Sequence, residues 1–232
     1  MFEKEKSGLQ LLSSQKIIRV PTVIGTFIEN DYQFLLLEWI DQGQRSDRFW
    51  AFFGEQLAAL HSIPCSYAGL QEDNYMGALP QVNHPSPNWI DFFIRQRLEP
   101  QIKLAIDAKL LPSQHQKQFD GLCKELPGIF PMNNLCLLHG DLWSGNFLCD
   151  HSGMPVLIDP AVYYGHPSID LGMTTLFGGF DPLFYESYNH QIPFPSNYRK
   201  QWEICNLYPL LIHLNLFGKG YLQSIISTIQ YY

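Results

Sequence analysis

Positive charge is scarce in this chain. Its 232 residues carry 15 Lys and Arg against 22 Asp and Glu, a formal net charge of −7 with the histidines neutral. A protein that grips nucleic acid without reading its sequence needs a basic footprint. The same balance removes any bulk attraction to anionic lipid. No nucleic-acid partner and no membrane partner is therefore expected. Long apolar runs are also missing. Phe34–Leu37 and Tyr208–Ile212 fall far short of the roughly 20 residues of a membrane helix. Cysteine is sparse: Cys65, Cys123, Cys136, Cys149 and Cys205 are odd in number and contain no C-x-x-C spacing. That excludes a disulfide framework or a zinc ribbon and leaves reduced, small apolar side chains. The start, MFEKEKSG, lacks the apolar stretch of a secretory signal. The expected location is cytoplasmic.

What is present is ample apolar material, 46% of residues, with 14% aromatic. A chain this long buries roughly 70% of its unfolded surface, so disorder is excluded. The first eleven residues read as a helix, with Phe2, Leu9, Leu11 and Leu12 near one face. Ile17–Val20 and Val23–Ile28 read as short strands, and Tyr32–Leu37 pairs with the second across an Glu29-Asn30-Asp31 turn. Glu38–Gly43 is a linker. From Ser46 the period becomes helical through Phe49, Phe52, Phe53, Leu57 and Leu60, with Ser46 or Asp47 as N-cap and Pro64 forbidding continuation. Tyr67–Pro87 is loop-like, and a connection of about 20 residues without structure of its own points to function. Asn88–Leu111, kinked at Pro100, and Ser113–Leu126 are further helices. Leu135–Leu138 is a buried strand, and Phe147–Cys149 with Pro155–Ile158 forms a second hairpin. Helical patterns resume at Ser168.

The chemistry sits in the middle. H-G-D-L-W-S-G-N runs from His139 to Asn146, and V-L-I-D-P ends the following hairpin at Asp159-Pro160. A hairpin brings its ends together, so Asn146 and Asp159 should be neighbours. Two oxygen ligands beside a third carboxylate, Asp141, suit Mg²⁺, which takes one or two protein carboxylates plus phosphate oxygens and water. Phosphoryl transfer uses these parts: a carboxylate for the acceptor hydroxyl, and an Asn and an Asp for the metal. The D-x-x-x-x-N spacing is that of the kinase catalytic loop.

The segment L-L-H-G-D-L-W-S-G-N with P-V-L-I-D-P-A-V-Y-Y-G-H-P-S-I-D-L-G resembles the fructosamine kinase (ketosamine-3-kinase) family, within the aminoglycoside phosphotransferase-like, protein-kinase-like superfamily. F-G-E-Q-L-A-A-L-H (53–61), Y-A-G-L-Q-E-D-N-Y-M-G-A-L-P-Q-V-N (67–83), N-W-I-D-F-F-I-R-Q-R-L (88–98) and F-G-G-F-D-P-L-F-Y-E-S-Y (177–188) carry the likeness further. The resemblance implies an α+β, protein-kinase-like two-lobe fold. Residues 1–42 would be a remnant β-rich N-lobe and 43–232 a mainly helical C-lobe. It implies ATP and Mg²⁺ as cofactors, Asp141 as catalytic base, and Asn146 and Asp159 as metal ligands. Main-chain groups of Glu38 and Ile40 would pair with adenine, whatever their side chains. Glu5 would lie on the helix whose glutamate pairs with the phosphate-gripping lysine. Trp143 would stack on the sugar of the substrate, and Asp170 would buttress the catalytic loop. By the resemblance, the family's Gly-rich loop and that lysine would precede the helix at which this sequence begins, and a small lobe lacking them would be expected to transfer slowly.

Other residues admit plainer roles. His139 is read as holding the catalytic loop rather than titrating. His151 and His166 are read as surface or loop residues. Trp89, Phe92 and Phe93 are read as core, and Tyr163 and Tyr164 as either core or acceptor-cleft lining. The function implied is ATP-dependent phosphorylation of a sugar hydroxyl, O3, on a small-molecule or protein-bound ketoamine, which frees the amine. Two alternatives stay open: a catalytically impaired kinase-like binding module, and a small-molecule kinase for another hydroxyl. The sequence leaves the oligomeric state open.

Overall fold

The computed structural model describes residues 1–131 and 134–232. It mixes helices and short antiparallel strands. Helix α1 (Phe2–Ser14) turns Gly8, Leu9 and Leu12 inward. Strands β1 (Val23–Glu29) and β2 (Tyr32–Leu37) form a hairpin in which Phe27 faces Phe34 and Glu29 faces Tyr32. Helix α2 (Phe49–His61) follows the linker. Its N-cap is Arg48, with no side-chain cap, so neither Ser46 nor Asp47 serves there. Ile17–Val20 is not a strand. Pro21 follows it without an N–H to pair, and Arg19 makes only an isolated bridge to Val156.

The stretch 67–87 is not structureless. After the short β3 (Pro64–Cys65), strands β4 (Asn74–Met76) and β5 (Leu79–Gln81) form a tight hairpin. Gly77 turns it at φ 58°, a left-handed conformation that glycine adopts at little cost. The long helix over 88–111 is split as well. Asn88 caps α3 (Trp89–Phe92) by accepting from the amides of Ile90 and Asp91. A π-helical turn spans Phe93–Leu98, and α4 runs Glu99–Asp107. Pro100 explains the split: it has no N–H for the carbonyl of Gln96, and its ring crowds that carbonyl, so the preceding turn widens.

Helix α5 (Gln116–Ile129) leads to the centre of the molecule. Strand β6 (Leu135–Leu138) lies between β3 and β9 (Tyr163–Gly165), all antiparallel, with Leu138 opposite Tyr163. The hairpin β7 (Phe147–Cys149) and β8 (Pro155–Leu157) pairs Phe147 with Leu157. Helices α6 (Ser168–Leu176), α7 (Pro182–Gln191), α8 (Tyr198–Cys205), α9 (Leu207–Phe217) and α10 (Leu222–Ile229) complete the chain. Two apolar clusters support the site from either side. One joins Leu9 and Leu12 of α1 to Phe49, Phe53 and Leu57 of α2 and to Leu137, Leu142, Phe147 and Leu157. The other holds Trp89, Phe92, Phe93, Leu138, Ala161 and Tyr163 with α9 and α10. Each buried Leu or Phe among them contributes about 1.5–3 kcal/mol, so the segments 139–146 and 158–162 are clamped between well-packed layers. No helix among the described residues is long and apolar enough to cross a membrane.

Candidate active site

Strand β6 runs directly into His139-Gly140-Asp141, and β9 is entered from Asp159-Pro160. Because β6 and β9 are antiparallel neighbours, these two polar segments meet at one edge. Ala161 donates its amide to the His139 carbonyl at 2.9 Å. Gly140 makes the crossing possible. Its φ is 84°, and a Cβ there would sit 2.1 Å from the Ala161 carbonyl oxygen. Asp159 itself holds φ 51°, a left-handed conformation uncommon outside glycine and of the kind found at functional sites.

The β7–β8 hairpin closes the other side. Ile158 donates its amide to the Asn146 carbonyl at 3.1 Å, which fixes Asn146 beside Asp159. The Asn146 amide nitrogen donates to the Asp141 carbonyl at 2.8 Å and to the Asp141 carboxylate at 3.0 Å. Asn146 is buried, and with its nitrogen turned to Asp141 its Oδ1 is the atom left for a cation.

The loop is held from below by Asp170, which is fully buried. Its two oxygens accept from the amides of Gly140 (2.8 Å) and His139 (2.8 Å), and Oδ2 also meets His61 Nε2 at 3.2 Å. His61 passes the contact on to the Tyr188 hydroxyl at 2.9 Å. The His139 ring is buried too. Its Nε2 donates to the Ile158 carbonyl at 2.9 Å, so Nδ1 is the acceptor for the Asp141 amide at 3.3 Å. Burial pushes the His139 imidazole below its ordinary value. It is a neutral strut in this fold.

Asp141, Asn146, Asp159, Glu5 and Trp143 line one cavity of about 460 Å³, with Lys4, Asn74, Tyr75 and Gly77 on its walls. Burial raises the Asp141 carboxyl to about 7; the Asn146 hydrogen bond opposes the rise, and the charges of Asp159 and Asp170 add to it. Burial also raises Glu5 to about 7, with Asp159 beside it contributing next. Three carboxyl groups thus share the cavity, and Lys4, on its wall, pairs with Glu72. Such a set favours a cation. Among the described residues no three or more His, Cys, Asp or Glu side chains form a metal-holding group. An Asn oxygen and one exposed carboxylate fit a cation that completes its shell with phosphate and water.

Glu38 and Ile40 lie apart from that cavity, in the linker after β2. Glu38 uses its side chain: it pairs with Arg19 at 2.7 Å and accepts from the Thr22 amide and hydroxyl at 3.0 and 2.9 Å. Arg19 also reaches Asp150 at 2.5 Å. The linker is thereby tied to the turn of the β7–β8 hairpin, so the identity of Glu38 matters here beyond its main chain. Ile40 is buried.

Trp143 is 37% exposed, leans over Gly145 and meets Phe177 edge-on at 5.8 Å. Tyr163 is fully buried under Arg97 and Tyr164 packs on Tyr67; neither lines the cavity. His151 is exposed, whereas His166, in the loop between β9 and α6 as one of its two readings has it, is buried rather than at the surface. It accepts from the Ser168 amide, and burial lowers it to about 3. All five cysteines are free thiols. Sequence reasoning missed Tyr75: Asn74-Tyr75-Met76 shows no alternation of polar and apolar residues, and only the burial of Asn74 and Met76 reveals that Tyr75 faces outward. It also missed Arg19, which no local pattern marks.

Fold and site together define a protein-kinase-like phosphotransferase. The chain belongs to the fructosamine kinase family, whose family model matches residues 1–232. It is 39% identical to a protein named "Probable ketoamine kinase" of Synechocystis sp., over 97% of this chain and 76% of that protein. It is 37% identical to the chloroplastic protein-ribulosamine 3-kinase of Arabidopsis thaliana, over 100% of this chain and 72% of the relative. The crystal structure of a fructosamine-3-kinase candidate from Thermobifida fusca superposes with a TM-score of 0.90 at 31% identity, covering 99% of this chain and 79% of that one. An aminoglycoside phosphotransferase in complex with streptomycin and ATP matches at a TM-score of 0.59 and 16% identity, which is a likeness of fold alone.

Proposed function

We propose that this chain transfers the γ-phosphoryl group of ATP, with Mg²⁺, to the O3 hydroxyl of a ketoamine sugar. The phosphorylated adduct is labile, and its breakdown frees the amine. The observation that carries this reading is the convergence of Asp141, Asn146 and Asp159 on one cavity, with Asn146 hydrogen-bonded to the Asp141 carboxylate. Asp141 is the group that receives the acceptor hydroxyl and takes its proton. Asn146 Oδ1 and the Asp159 carboxylate would hold Mg²⁺, which when bound neutralises phosphate charge. Main-chain groups of Glu38 and Ile40 receive the adenine. Asp170 and His139 keep the loop in place, and Trp143 offers a ring face to the sugar. Glu5 faces Asp159 from α1 and takes part in the electrostatics of the phosphate end.

The relatives' names favour a ketoamine over other alcohols: one is a probable ketoamine kinase and another a protein-ribulosamine 3-kinase. The test is transfer of labelled γ-phosphate to fructosyl-lysine, to a glycated peptide, and to choline and an aminoglycoside as controls. Mg²⁺-dependent transfer to the ketoamines alone is the expected result. Transfer to a control alcohol alone would replace the substrate, and failure to bind ATP would leave a binding module.

A further inference from the structure

The β4–β5 hairpin is anchored by a buried polar network centred on a charge. Arg97 is fully buried. One guanidinium nitrogen donates to the Val82 carbonyl and the other to Asn83 Oδ1, each at 2.6 Å. Ring faces of Phe92, Tyr163 and Tyr208 lie 4.4, 4.1 and 5.3 Å from its carbon. Among the described residues it has no ion-paired carboxylate, so carbonyl oxygens and aromatic faces carry its charge. Burying a cation this way is costly unless every partner is in position.

From Arg97 the network runs to the site. Asn83 Nδ2 donates to Asn74 Oδ1 at 2.8 Å, and Gln81 Nε2 donates to the same oxygen at 2.8 Å. Gln81 Nε2 also reaches the Ala161 carbonyl at 3.1 Å, and Asn74 Nδ2 donates to the Val162 carbonyl at 2.8 Å. Tyr208 donates its hydroxyl to Gln81 Oε1 at 2.9 Å. Ala161 and Val162 are the main chain just past Asp159. The hairpin therefore hangs from the connection between β8 and β9, which carries Asp159. Asn74 and Met76 point inward, so the pleat sends Tyr75 outward, into the cavity that holds Asp141 and Trp143. Tyr75 and Trp143 are each 37% exposed.

We propose that this hairpin is the acceptor-side wall of the site: Tyr75 is a specificity-determining residue that offers the sugar a second ring face opposite Trp143, and Arg97 is the positioning residue that keeps it there. The proposal rests on the phosphotransferase reading of the same cavity. A sugar presents C–H faces to two rings while its hydroxyl edge meets Asp141, which orients one hydroxyl toward the base.

The test compares the full chain with Tyr75→Ala, Tyr75→Phe, Arg97→Met and Arg97→Lys, using fructosyl-lysine and ATP. Tyr75→Ala should raise the acceptor KM about five- to tenfold, the loss expected for one aromatic face, with the ATP KM and Tm unchanged. Tyr75→Phe should keep the wild-type acceptor KM. Arg97→Met should speed amide exchange over 74–83 and raise the acceptor KM but not the ATP KM, and Arg97→Lys, lacking the fork, should fall between. A purely structural Arg97 would lower Tm and leave the acceptor KM alone. An unchanged acceptor KM in Tyr75→Ala overturns the proposal, and this arm decides if Arg97→Met does not fold. If wild type phosphorylates another alcohol and no ketoamine, the ketoamine reading fails, and the same KM comparison on that alcohol decides the hairpin. If no acceptor is turned over, fructosyl-lysine must still protect amides 74–83 from exchange; no protection removes both.

Discussion

The Asn146 side-chain nitrogen lies 3.0 Å from the Asp141 carboxylate and 2.8 Å from the Asp141 carbonyl. One amide group thereby orients the candidate base and leaves its own oxygen for a cation. The two roles can be read by two different measurements on one variant. Asn146→Ala removes both. It should cost about 1–3 kcal/mol of stability, the price of an unpaired buried acceptor, and raise the Mg²⁺ concentration needed for half-maximal ATP binding. Thermal melts and calorimetric ATP titrations at several Mg²⁺ concentrations measure the two effects. Equal ATP affinity with and without Mg²⁺ in wild type would remove the metal assignment.

Asp170 accepts from two loop amides and from His61 while fully buried. Asp170→Asn substitutes an NH₂ for one acceptor and turns a donor toward donors. The expected loss is about 3 kcal/mol, or roughly 6–12 °C in Tm for a chain of this size. A melting curve within about 2 °C of wild type would contradict the buttress.

Gly140→Ala should be worse than a cavity-forming change, because the new Cβ would meet the Ala161 carbonyl at 2.1 Å in a left-handed conformation. The backbone of the loop that carries Asp141 must shift. Soluble expression with near-wild-type phosphoryl transfer would show that the two segments can move apart where they cross.

Glu5 has a pH signature. Its carboxyl is raised from near 4.5 to about 7, by burial first and by Asp159 next. The folded chain therefore binds the proton more tightly than the unfolded chain. The stability this contributes is fully present below about 4.5 and is lost as pH rises through about 7. The neutral buried histidines His139 and His166, lowered by burial, act in the opposite sense but equally in wild type and a Glu5 variant. The difference in Tm between Glu5→Gln and wild type, without metal or nucleotide, should become more positive from pH 5 to pH 8. A flat difference would mean that Glu5 stays ionised beside Asp159.

Much of this was legible in the residues. The helical period from Phe49 to Leu60 and the hairpins around Glu29–Asp31 and Asp150–Gly153 are local patterns, and local patterns survive folding. The adjacency of Asn146 and Asp159 follows from hairpin closure alone. What failed was context. Ile17–Val20 has strand composition, but Pro21 and a single partner at Val156 leave only a bridge. The turn before Pro100 widened into a π-turn because one proline acts on a carbonyl four residues back. The 67–87 stretch read as loop because its strands are so short, and its order comes from Arg97 and from Ala161 and Val162, which no window spanning the hairpin contains. His166 does lie in a loop, but Trp89 and Phe130 pack over it and take it off the surface.

The most direct test of the account is single-turnover phosphoryl transfer from labelled ATP to fructosyl-lysine by wild type and Asp141→Asn, with Tm and ATP affinity measured on both. Removing a general base is expected to slow transfer about 10²–10⁴-fold, with the melting temperature and Mg²⁺-dependent ATP binding close to wild type. Transfer by Asp141→Asn at the wild-type rate would contradict the assignment of Asp141 as the base.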